Sequence, residues 1–375
     1  MSWEYKTLDQ LGEVSRGRSK HRPRNDSSLF GGEYPFIQTA DVKAANFYIT
    51  EYDTTYNEKG LTQSKLWHPG TLCITIAANI ADTGILAIDA CFPDSVMGFI
   101  PYDELADVRF VKYCFDILQQ NCKKISQGAA QDNLSWEKLS TILFPAPPVA
   151  VQKKIADILS SFDVLIENNQ KQIKLLEEAA QRLYKEWFVD LRFPGYENTP
   201  IVDGVPEGWT HAVVTDLLDI KYGKDHKSLP DGDIPVYGSG GIMRKVNKIL
   251  HSGESVLIPR KGSLNNILLV SGDFWTIDTM FFSIPKQENI AKYAYLFLSG
   301  VDMYAMNIGA AVPSMTVKIL SGMKLRCPSA EILVQFEKVV DPYFSMIELL
   351  KKQNESLSEA RDMLLPKLMN GEIEV

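Results

Sequence analysis

The densest cluster of chemically active side chains lies near the start of the chain and consists of five cations. Arg16, Arg18, Lys20, Arg22 and Arg24 occupy every second position of a nine-residue stretch that no acidic residue interrupts. A guanidinium group donates paired hydrogen bonds, which suit phosphate oxygens and the edge of guanine. The stretch therefore indicates contact with phosphates or bases, and a solvated surface loop is the alternative.

Further cations and amides of the kinds that contact phosphates and adenine edges are spread through both halves of the chain. In the second half, Lys224 and Lys227 follow a glycine as Arg18 does, and the segment PRKGSLNN brings cations and amides together. Ordinary turn chemistry explains the amides equally well. The remaining candidates for DNA contact are Asn79, Gln131, Asn133, Lys224, Lys227, Arg244, Lys245, Arg260, Lys261, Asn265 and Asn266.

The charge of the chain does not exclude a nucleic-acid partner. The 375 residues carry a formal net charge of −8, which at first sight disfavours a polyanion. The acidity is uneven, however, because residues 209–330 hold 13 basic and 10 acidic residues. Binding to phosphates depends on a local stripe of cations rather than on the total charge.

The sequence lacks the common signatures of catalysis. It has no G-x-x-x-x-G-K-[ST] loop and no G-x-G-x-x-G turn, so use of ATP or a dinucleotide is not expected. Pro93-Asp94 lacks the [DE]-x-K continuation of a common nuclease site, and no N-P-P-[YF] motif is present. The five histidines lack metal-ligand spacing. We therefore expect no catalytic residue and no metal site.

The elements that carry these side chains form two copies of one unit. The pattern W-x7-L-x2-V/I-x2-G occurs at residues 3–17 and again at 209–223. Later segments match in the same order, among them HPGTLCITI with HSGESVLIP and VKYCF with AKYAY. Because short runs rich in β-branched and aromatic residues dominate each copy and a few helical stretches interrupt them, we expect two mixed domains of the α+β class.

Each copy ends in a long helical pattern with an apolar seam at alternating steps of four and three residues, as in a coiled coil. The first seam consists of Ile155, Leu159, Phe162, Ile166, Asn169, Ile173, Leu176, Ala180, Leu183 and Trp187. The second consists of Phe336, Val340, Tyr343, Ile347, Leu350, Asn354, Leu357, Arg361, Leu364 and Leu368, with Pro342 near its start. The equal lengths predict that the helices pack together, and helices lying on separate cores are the alternative. One asparagine in each seam is expected to fix register and partner at some cost in stability.

These patterns define the expected domains. The first mixed domain spans 1–148, its helix 149–188, a linker rich in proline and glycine 189–208, the second mixed domain 209–330 and its helix 331–375. An odd number of cysteines without a C-x-x-C motif, together with the absence of a signal peptide or an apolar span, favours a cytoplasmic protein without membrane association.

The chain resembles the specificity subunits of Type I restriction-modification enzymes along its whole length. The resemblance rests on the duplicated unit, on Pro148, Gln152 and Ile155 at the first helix start, on the connector LYKEWFVDLRFPG…GVPEGW and on the closing phrase LLPKLMNGEI. It implies two target recognition domains, related by a pseudo-twofold internal repeat, and an antiparallel coiled coil between them.

The resemblance also implies the function. Each recognition domain would bind half of a bipartite site on double-stranded DNA, and the helices would set the spacing. The chain itself would perform no chemistry and hold no cofactor. Two methyltransferase subunits would bring S-adenosylmethionine, and motor-nuclease subunits would bring ATP and Mg²⁺, so that the target is methylated or cleaved by partners.

Two other functions remain open from the residues alone. A stand-alone enzyme of DNA processing would show activity as the purified chain, and a protein-binding adaptor would keep its DNA affinity when the five cations are replaced. The sequence does not identify the target or the half-site gap, because base readout depends on geometry, water and DNA deformation. It also does not tell whether a complete restriction complex or a methyltransferase alone is formed.

Overall fold

The computed structural model describes residues 3–76, 81–125, 136–306 and 314–375, and for residues 121–125 it describes the backbone alone. The chain divides into two compact units. The first unit comprises Met1–Lys171 together with Leu350–Val375, and the second comprises Gln172–Leu349. Each unit therefore contains one mixed domain and segments of both long helices.

The first unit is built on an open sheet with short strand pairs around it. Its strands are β1 Glu4–Lys6, β2 Gly12–Arg16, β3 Phe30–Pro35, β4 Tyr48–Ile49, β5 Thr55–Tyr56, β6 Leu66–Trp67, β7 Leu72–Thr75, β8 Thr83–Leu86, β9 Ala90–Cys91, β10 Val96–Pro101 and β11 Phe144–Ala146. Its short helices are α1 Leu8–Leu11, α2 Thr39–Ala44, α3 Glu58–Thr62 and α5 Trp136–Leu139, and α4 Val108–Ile125 is longer. The main sheet has the order β2-β10-β7-β8-β4, and β1-β11, β3-β5 and β6-β9 form separate pairs.

The second unit contains two four-stranded sheets. Its strands are β12 Ile201–Val202, β13 Val205–Pro206, β14 Thr210–Val213, β15 Leu218–Tyr222, β16 Ile234–Gly238, β17 Gly241–Val246, β18 His251–Ser252, β19 Ser255–Pro259, β20 Leu268–Val270, β21 Asp273–Thr276, β22 Met280–Pro285 and β23 Lys324–Cys327. Its short helices are α7 Val214–Leu217, α8 Ala291–Ser299 and α9 Val317–Leu320. The sheets have the orders β15-β22-β19-β20 and β17-β16-β21-β18.

The strand order shows the internal repeat directly. The antiparallel order β2-β10-β7-β8 of the first unit recurs as β15-β22-β19-β20 in the second. The pair β1-β11 likewise corresponds to β14-β23, where the start of each domain pairs with the strand before its long helix. The predicted mixed fold and its duplication are confirmed.

The repeated glycine has the same structural reason in both copies. Gly17 follows β2, and a β-carbon there would collide with the carbonyl oxygen of Pro93. Gly223 follows β15, and a β-carbon there would collide with the carbonyl oxygen of Ile277. Close approach of two backbone segments thus requires glycine where each cation-rich stretch begins.

The long helices are α6 Val149–Tyr184, which Lys185–Val189 extend as a π turn, and α10 Ala330–Met369. The amides of Val151 and Gln152 both donate to the Pro148 carbonyl at the start of α6. Gly371, with φ +76°, ends α10 in the left-handed conformation that favours glycine. The helix α10 continues through Pro342, and the seam residues Val340 and Ile347 on either side of it are buried.

The two helices pack antiparallel along the predicted seam. In the first unit, the side chain of Asn169 lies 2.9 Å from Asn354. In the second unit, the rings of Trp187 and Phe336 are 5.6 Å apart. Residues later in α6 thus contact residues earlier in α10, which makes the two helices antiparallel. Every seam residue in both helices is buried or half-buried. The prediction that the helices pack together is confirmed, and separate cores are excluded.

Candidate nucleic-acid interface

The cation stretch of the first unit runs from the end of β2 into bends and a turn at residues 21–25, and exposed and buried residues alternate along its first half. Arg16, at the end of β2, and Arg18 and Lys20 after it are exposed, whereas Gly17 and Ser19 between them are buried. The backbone is fixed because the amide of Arg18 donates to Phe92 and that of Lys20 to Gln63. Because exposure alternates along these five residues, Arg16, Arg18 and Lys20 all face solvent.

The two halves of this stretch differ in their partners. Arg16, Arg18 and Lys20 have no ion-pair partner among the residues that the structure describes. Arg24 donates to the Asp94 carboxylate at 2.8 Å, and Arg22 donates to the carbonyls of Ser19 and His21. The first three cations are therefore available to an anionic ligand, and the last two shape the loop.

A short polar contact holds the turn that follows. The His21 ring nitrogen Nε2 lies 2.7 Å from Asp26, whose carboxylate also accepts the Ser28 amide at 2.9 Å. The hydrogen bonds from Ser28, followed by that from His21, lower the pKa of Asp26 to about 2. Asp26 therefore stays ionised at every physiological pH and keeps the turn in place.

The corresponding stretch of the second unit is also exposed. Lys224 and Lys227 both point to solvent, and no ion-pair partner is found for them among the described residues. The backbone at Lys224 is held at two points, since its amide donates to Thr276 and its carbonyl accepts from the Trp275 indole at 2.9 Å. Cations thus follow the repeated glycine on a fixed backbone in both units.

The other predicted cations of the second unit fall into two groups. Lys245 and Lys261 are exposed and have no ion-pair partner within the described parts of the chain. Arg244 is half-buried and donates to Asp231 at 2.6 Å and to the Leu229 carbonyl at 3.0 Å. Arg244 therefore braces the loop before β16, while Lys245 and Lys261 are free to contact phosphate.

Arg260 lies on an aromatic surface that the sequence did not indicate. Its guanidinium carbon is 5.0 Å from the ring centre of Tyr222, which is itself exposed, and 5.4 Å from that of Phe281. It donates one hydrogen bond to the Asp278 carbonyl at 2.8 Å. The contact with the two rings holds the guanidinium in place beside an exposed tyrosine, an arrangement that suits contact with a base edge or a phosphate.

The two predicted amides of the second unit are occupied within the protein. Asn265 accepts the Met303 amide at 2.8 Å and donates to Asp302 at 3.3 Å. Asn266 donates to the Ser239 carbonyl at 2.8 Å. Both side chains hold loops together. The three amides predicted in the first unit, Asn79, Gln131 and Asn133, lie outside the described residues.

Comparison with known proteins identifies the family. A family model of the Type I restriction modification DNA specificity domain matches residues 1–178 and 206–359. The chain belongs to this family. Its two matched segments correspond to the two copies of the repeat, so each copy contains one such domain.

Curated relatives agree with this assignment. The specificity subunit of the type I restriction enzyme MjaIX from Methanocaldococcus jannaschii is 26% identical, covering 100% of this chain and 94% of the relative. The specificity subunit of HindI from Haemophilus influenzae is 23% identical, covering 97% and 98% of the two chains. A crystal structure of a Type I restriction-modification S subunit from M. genitalium has a TM-score of 0.58 at 19% identity, covering 98% and 96%. That structure has the same fold.

These findings make the chain a specificity subunit of a Type I restriction-modification system, a class of protein that is not catalytic. Within the described residues, no group of three or more histidine, cysteine, aspartate or glutamate side chains is arranged to hold a metal ion. No helix in the described parts of the chain is long and apolar enough to cross a membrane.

Sequence reasoning missed a buried lysine that is surrounded by carboxylates where the second domain meets α10. Lys292 on α8 contacts Glu254, Glu337 and Asp341, the last two on α10. Burial alone would lower the pKa of Lys292, but the hydrogen bond to Glu337 and the charges of Glu254 and Glu337 together outweigh it, so the pKa is raised. A signal was present, because Lys292 lies in AKYAY, which repeats VKYCF, and Lys112 of that copy is also buried.

Proposed function

We propose that the chain reads a bipartite target on double-stranded DNA, with one half-site contacted by each domain and the gap set by α6 and α10. The observation that carries the proposal is the repeated placement of the cations. In the first unit Arg16 precedes the repeated glycine after β2, and Arg18 and Lys20 follow it; in the second unit Lys224 and Lys227 follow the same glycine after β15, and hydrogen bonds hold the backbone in both places. Two copies of one binder on paired helices would recognise two sites at a fixed separation.

The side chains proposed to contact DNA differ in kind between the two units. In the first unit the free cations Arg16, Arg18 and Lys20 would contact phosphates or guanine edges. In the second unit Lys224, Lys227, Lys245 and Lys261 would contact phosphates, and the guanidinium of Arg260, held against Tyr222, would contact a guanine edge. The two half-sites would therefore differ in sequence.

The proposal includes recruitment of catalytic partners. Ile158 and Leu165 on α6, exposed by 38% and 50%, directly precede the second and fourth seam residues. Val339 and Met346 on α10, exposed by 39% and 44%, occupy the same two places. Equivalent exposed apolar pairs in the two units suit two copies of one partner. We assign these pairs to two methyltransferase subunits, which would bring S-adenosylmethionine, while motor-nuclease subunits would bring ATP and Mg²⁺.

The recruitment is tested by replacing Ile158 and Leu165 with aspartate, with Asn168→Asp and Lys171→Asp as exposed controls on the same helix. A chain that binds two methyltransferase subunits should then bind one, as measured by native mass spectrometry of the co-purified complex. Retention of two subunits would overturn the assignment of this surface.

DNA reading is tested by selection from a random duplex library with the complex of this chain and its methyltransferase subunit. The proposal predicts that selected duplexes share two fixed segments separated by a constant number of unselected positions. Replacing Arg16, Arg18 and Lys20 with glutamine should weaken selection of one segment and leave the other. A single continuous motif, or no motif from a stable complex, would contradict the proposal.

A further inference from the structure

The seams of α6 and α10 each have ten positions with identical spacing. In α6 they run from Ile155 to Trp187, and in α10 from Phe336 to Leu368. In the antiparallel packing the tenth position of α6 faces the first of α10, as the contact of Trp187 with Phe336 shows. The fifth position of α6, Asn169, faces the sixth of α10, Asn354.

The asparagine layer is paired. The Asn169 amide nitrogen donates to the Asn354 amide oxygen at 2.9 Å, and Asn169 is only 8% exposed. Both residues lie in the first unit, close to the middle of their seams. A buried amide that keeps a partner loses little on folding, whereas an unpaired one bears the full cost of desolvation.

A second polar layer lies two steps along the seam. Arg361 occupies the eighth position of α10 and donates to Asp163, which follows the third seam residue of α6 and is 2% exposed. The same carboxylate accepts from the Tyr113 hydroxyl of α4 at 2.5 Å. This layer also pairs a group of α6 with a group of α10.

Identical seam spacing creates a competing assembly. Because the steps are equal, α6 of one chain could pack on α6 of a second copy in the same antiparallel register, and α10 likewise. In an α6 pair, Asn169 would face the sixth position, which is Ile173. In an α10 pair, Asn354 would face the fifth position, which is Leu350. Every central amide would then be buried against an aliphatic side chain.

The second polar layer would be lost in the same way. In an α6 pair, the third seam residue, Phe162, would face Ala180 of the other copy instead of Arg361. The neighbouring Asp163 would therefore lose its arginine partner. In an α10 pair, Arg361 would face Tyr343. Among the antiparallel pairings in this register, that of α6 with α10 is thus the one in which these four polar residues are all satisfied.

We propose that the Asn169–Asn354 pair, supported by Asp163 and Arg361, selects pairing of the two helices of one chain and rejects pairing of like helices from two copies. The chain is thereby kept from associating with a second copy through its long helices. This inference concerns pairing of the helices and does not depend on the proposed reading of DNA. One polar layer in an otherwise apolar seam is a known means of fixing partner choice.

The experiment uses the full chain with Gln172→Cys, an exposed position directly before the sixth seam residue of α6. In a pair of α6 helices from two chains, the introduced cysteine approaches its own copy. Because linkage within one chain raises the effective concentration of α10 to the millimolar range, the protein is refolded at high concentration before oxidation. The peptide that joins the introduced cysteines of two chains is then quantified by mass spectrometry, which separates it from links to native cysteines.

With Asn169→Ile, pairing within one chain and pairing of like helices from two chains bury the same number of unpaired amides. Asn354 would face an aliphatic side chain in both cases. The inference predicts at least about tenfold more of this cross-linked peptide than in the chain with both asparagines. Asn168→Ile, an exposed neighbour off the seam, is the matched control and should cause no increase. The double variant Asn169→Ile with Asn354→Leu has no unpaired amide, so it keeps the test valid if the single variant folds poorly, and it should also increase the peptide.

Equal amounts of the cross-linked peptide in all chains would overturn the inference. A lower melting temperature of Asn169→Ile without more cross-linking would show that the pair contributes stability but not partner choice, which also overturns it. A cross-link that increases with Asn168→Ile would assign the effect to surface hydrophobicity instead.

Discussion

Shortening both helices by one heptad tests the proposed spacer quantitatively. The change removes residues 170–176 from α6 and 347–353 from α10. The lost seam layers contain Ile173, Leu176, Ile347 and Leu350, which face one another in the antiparallel order, so Asn169 remains opposite Asn354. Both seams keep their register because a whole heptad is removed.

The magnitude follows from helix geometry. Seven residues at 1.5 Å each shorten a helix by about 10 Å. Base pairs of DNA are about 3.4 Å apart, so the permitted gap should shorten by about three base pairs. Three base pairs are also roughly a third of a helical turn, so one half-site would be rotated about the DNA axis relative to the other. Because the two domains would then no longer face their half-sites in the same way, the affinity for DNA should also fall. The half-sites themselves should stay unchanged, since no domain residue is altered.

The assay is library selection with the trimmed chain and its methyltransferase subunit. Removing residues 170–176 alone is the control, because it disrupts the facing order of the seams and should abolish a defined gap. A trimmed chain that selects an unchanged gap, or the same gap with altered half-sites, would refute the role of the helices as a spacer.

Three further predictions concern charges. Replacing Arg16, Arg18 and Lys20 with glutamine should reduce the slope of log affinity against log salt by about 2 to 3, because each lost phosphate contact contributes about 0.9; salt titration of DNA binding measures it, and an unchanged slope would return the adaptor function to consideration. Arg361→Met should destabilise the first unit by about 3 kcal/mol, because it leaves the buried Asp163 carboxylate with only the Tyr113 hydroxyl; hydrogen exchange in α4 and α10 reports this, and a change under about 0.5 kcal/mol would contradict it. Asp26, whose pKa is lowered to about 2, should stabilise its turn fully above about pH 4, the pKa of an aspartate in the unfolded chain, and this stabilisation should disappear as the pH falls towards 2. The chemical shift of the Ser28 amide in a pH titration measures the ionisation of Asp26, and a midpoint near 4 would contradict the structure.

The long helices and the repeat could be predicted from the sequence because both are encoded locally. An apolar residue at alternating steps of four and three must lie on one face of a helix, and the structure buries or half-buries all twenty such positions. The strands β7, β19 and β22 lie within apolar runs visible in the sequence. The repeated glycine marked the position of both cation stretches.

The partners of the polar side chains could not be predicted, because they lie far apart along the chain. Arg24 pairs with Asp94, 70 residues away. Asp163 binds both Tyr113 and Arg361, at separations of 50 and 198 residues. Local spacing showed which groups could contact DNA, but only the folded chain shows which of them are already occupied.

The stacking of Arg260 on Tyr222 was missed for the same reason. The two residues lie on strands β19 and β15 or next to them, which join through β22 in one sheet. Their sequence neighbourhoods give no sign of the contact. The cations that remain unpaired in the structure are therefore a smaller and sharper set of candidates than those named from the sequence.

The central claim is that this chain supplies the sequence specificity of a DNA methyltransferase. The most direct measurement is a map of N6-methyladenine across a host genome by single-molecule sequencing, with the methyltransferase subunit from the same source expressed with and without this chain. The proposed function predicts a split motif, two short half-sites with a fixed gap, that appears only when the chain is present. The same methylation pattern without the chain, or a stable complex that produces no motif, would contradict it.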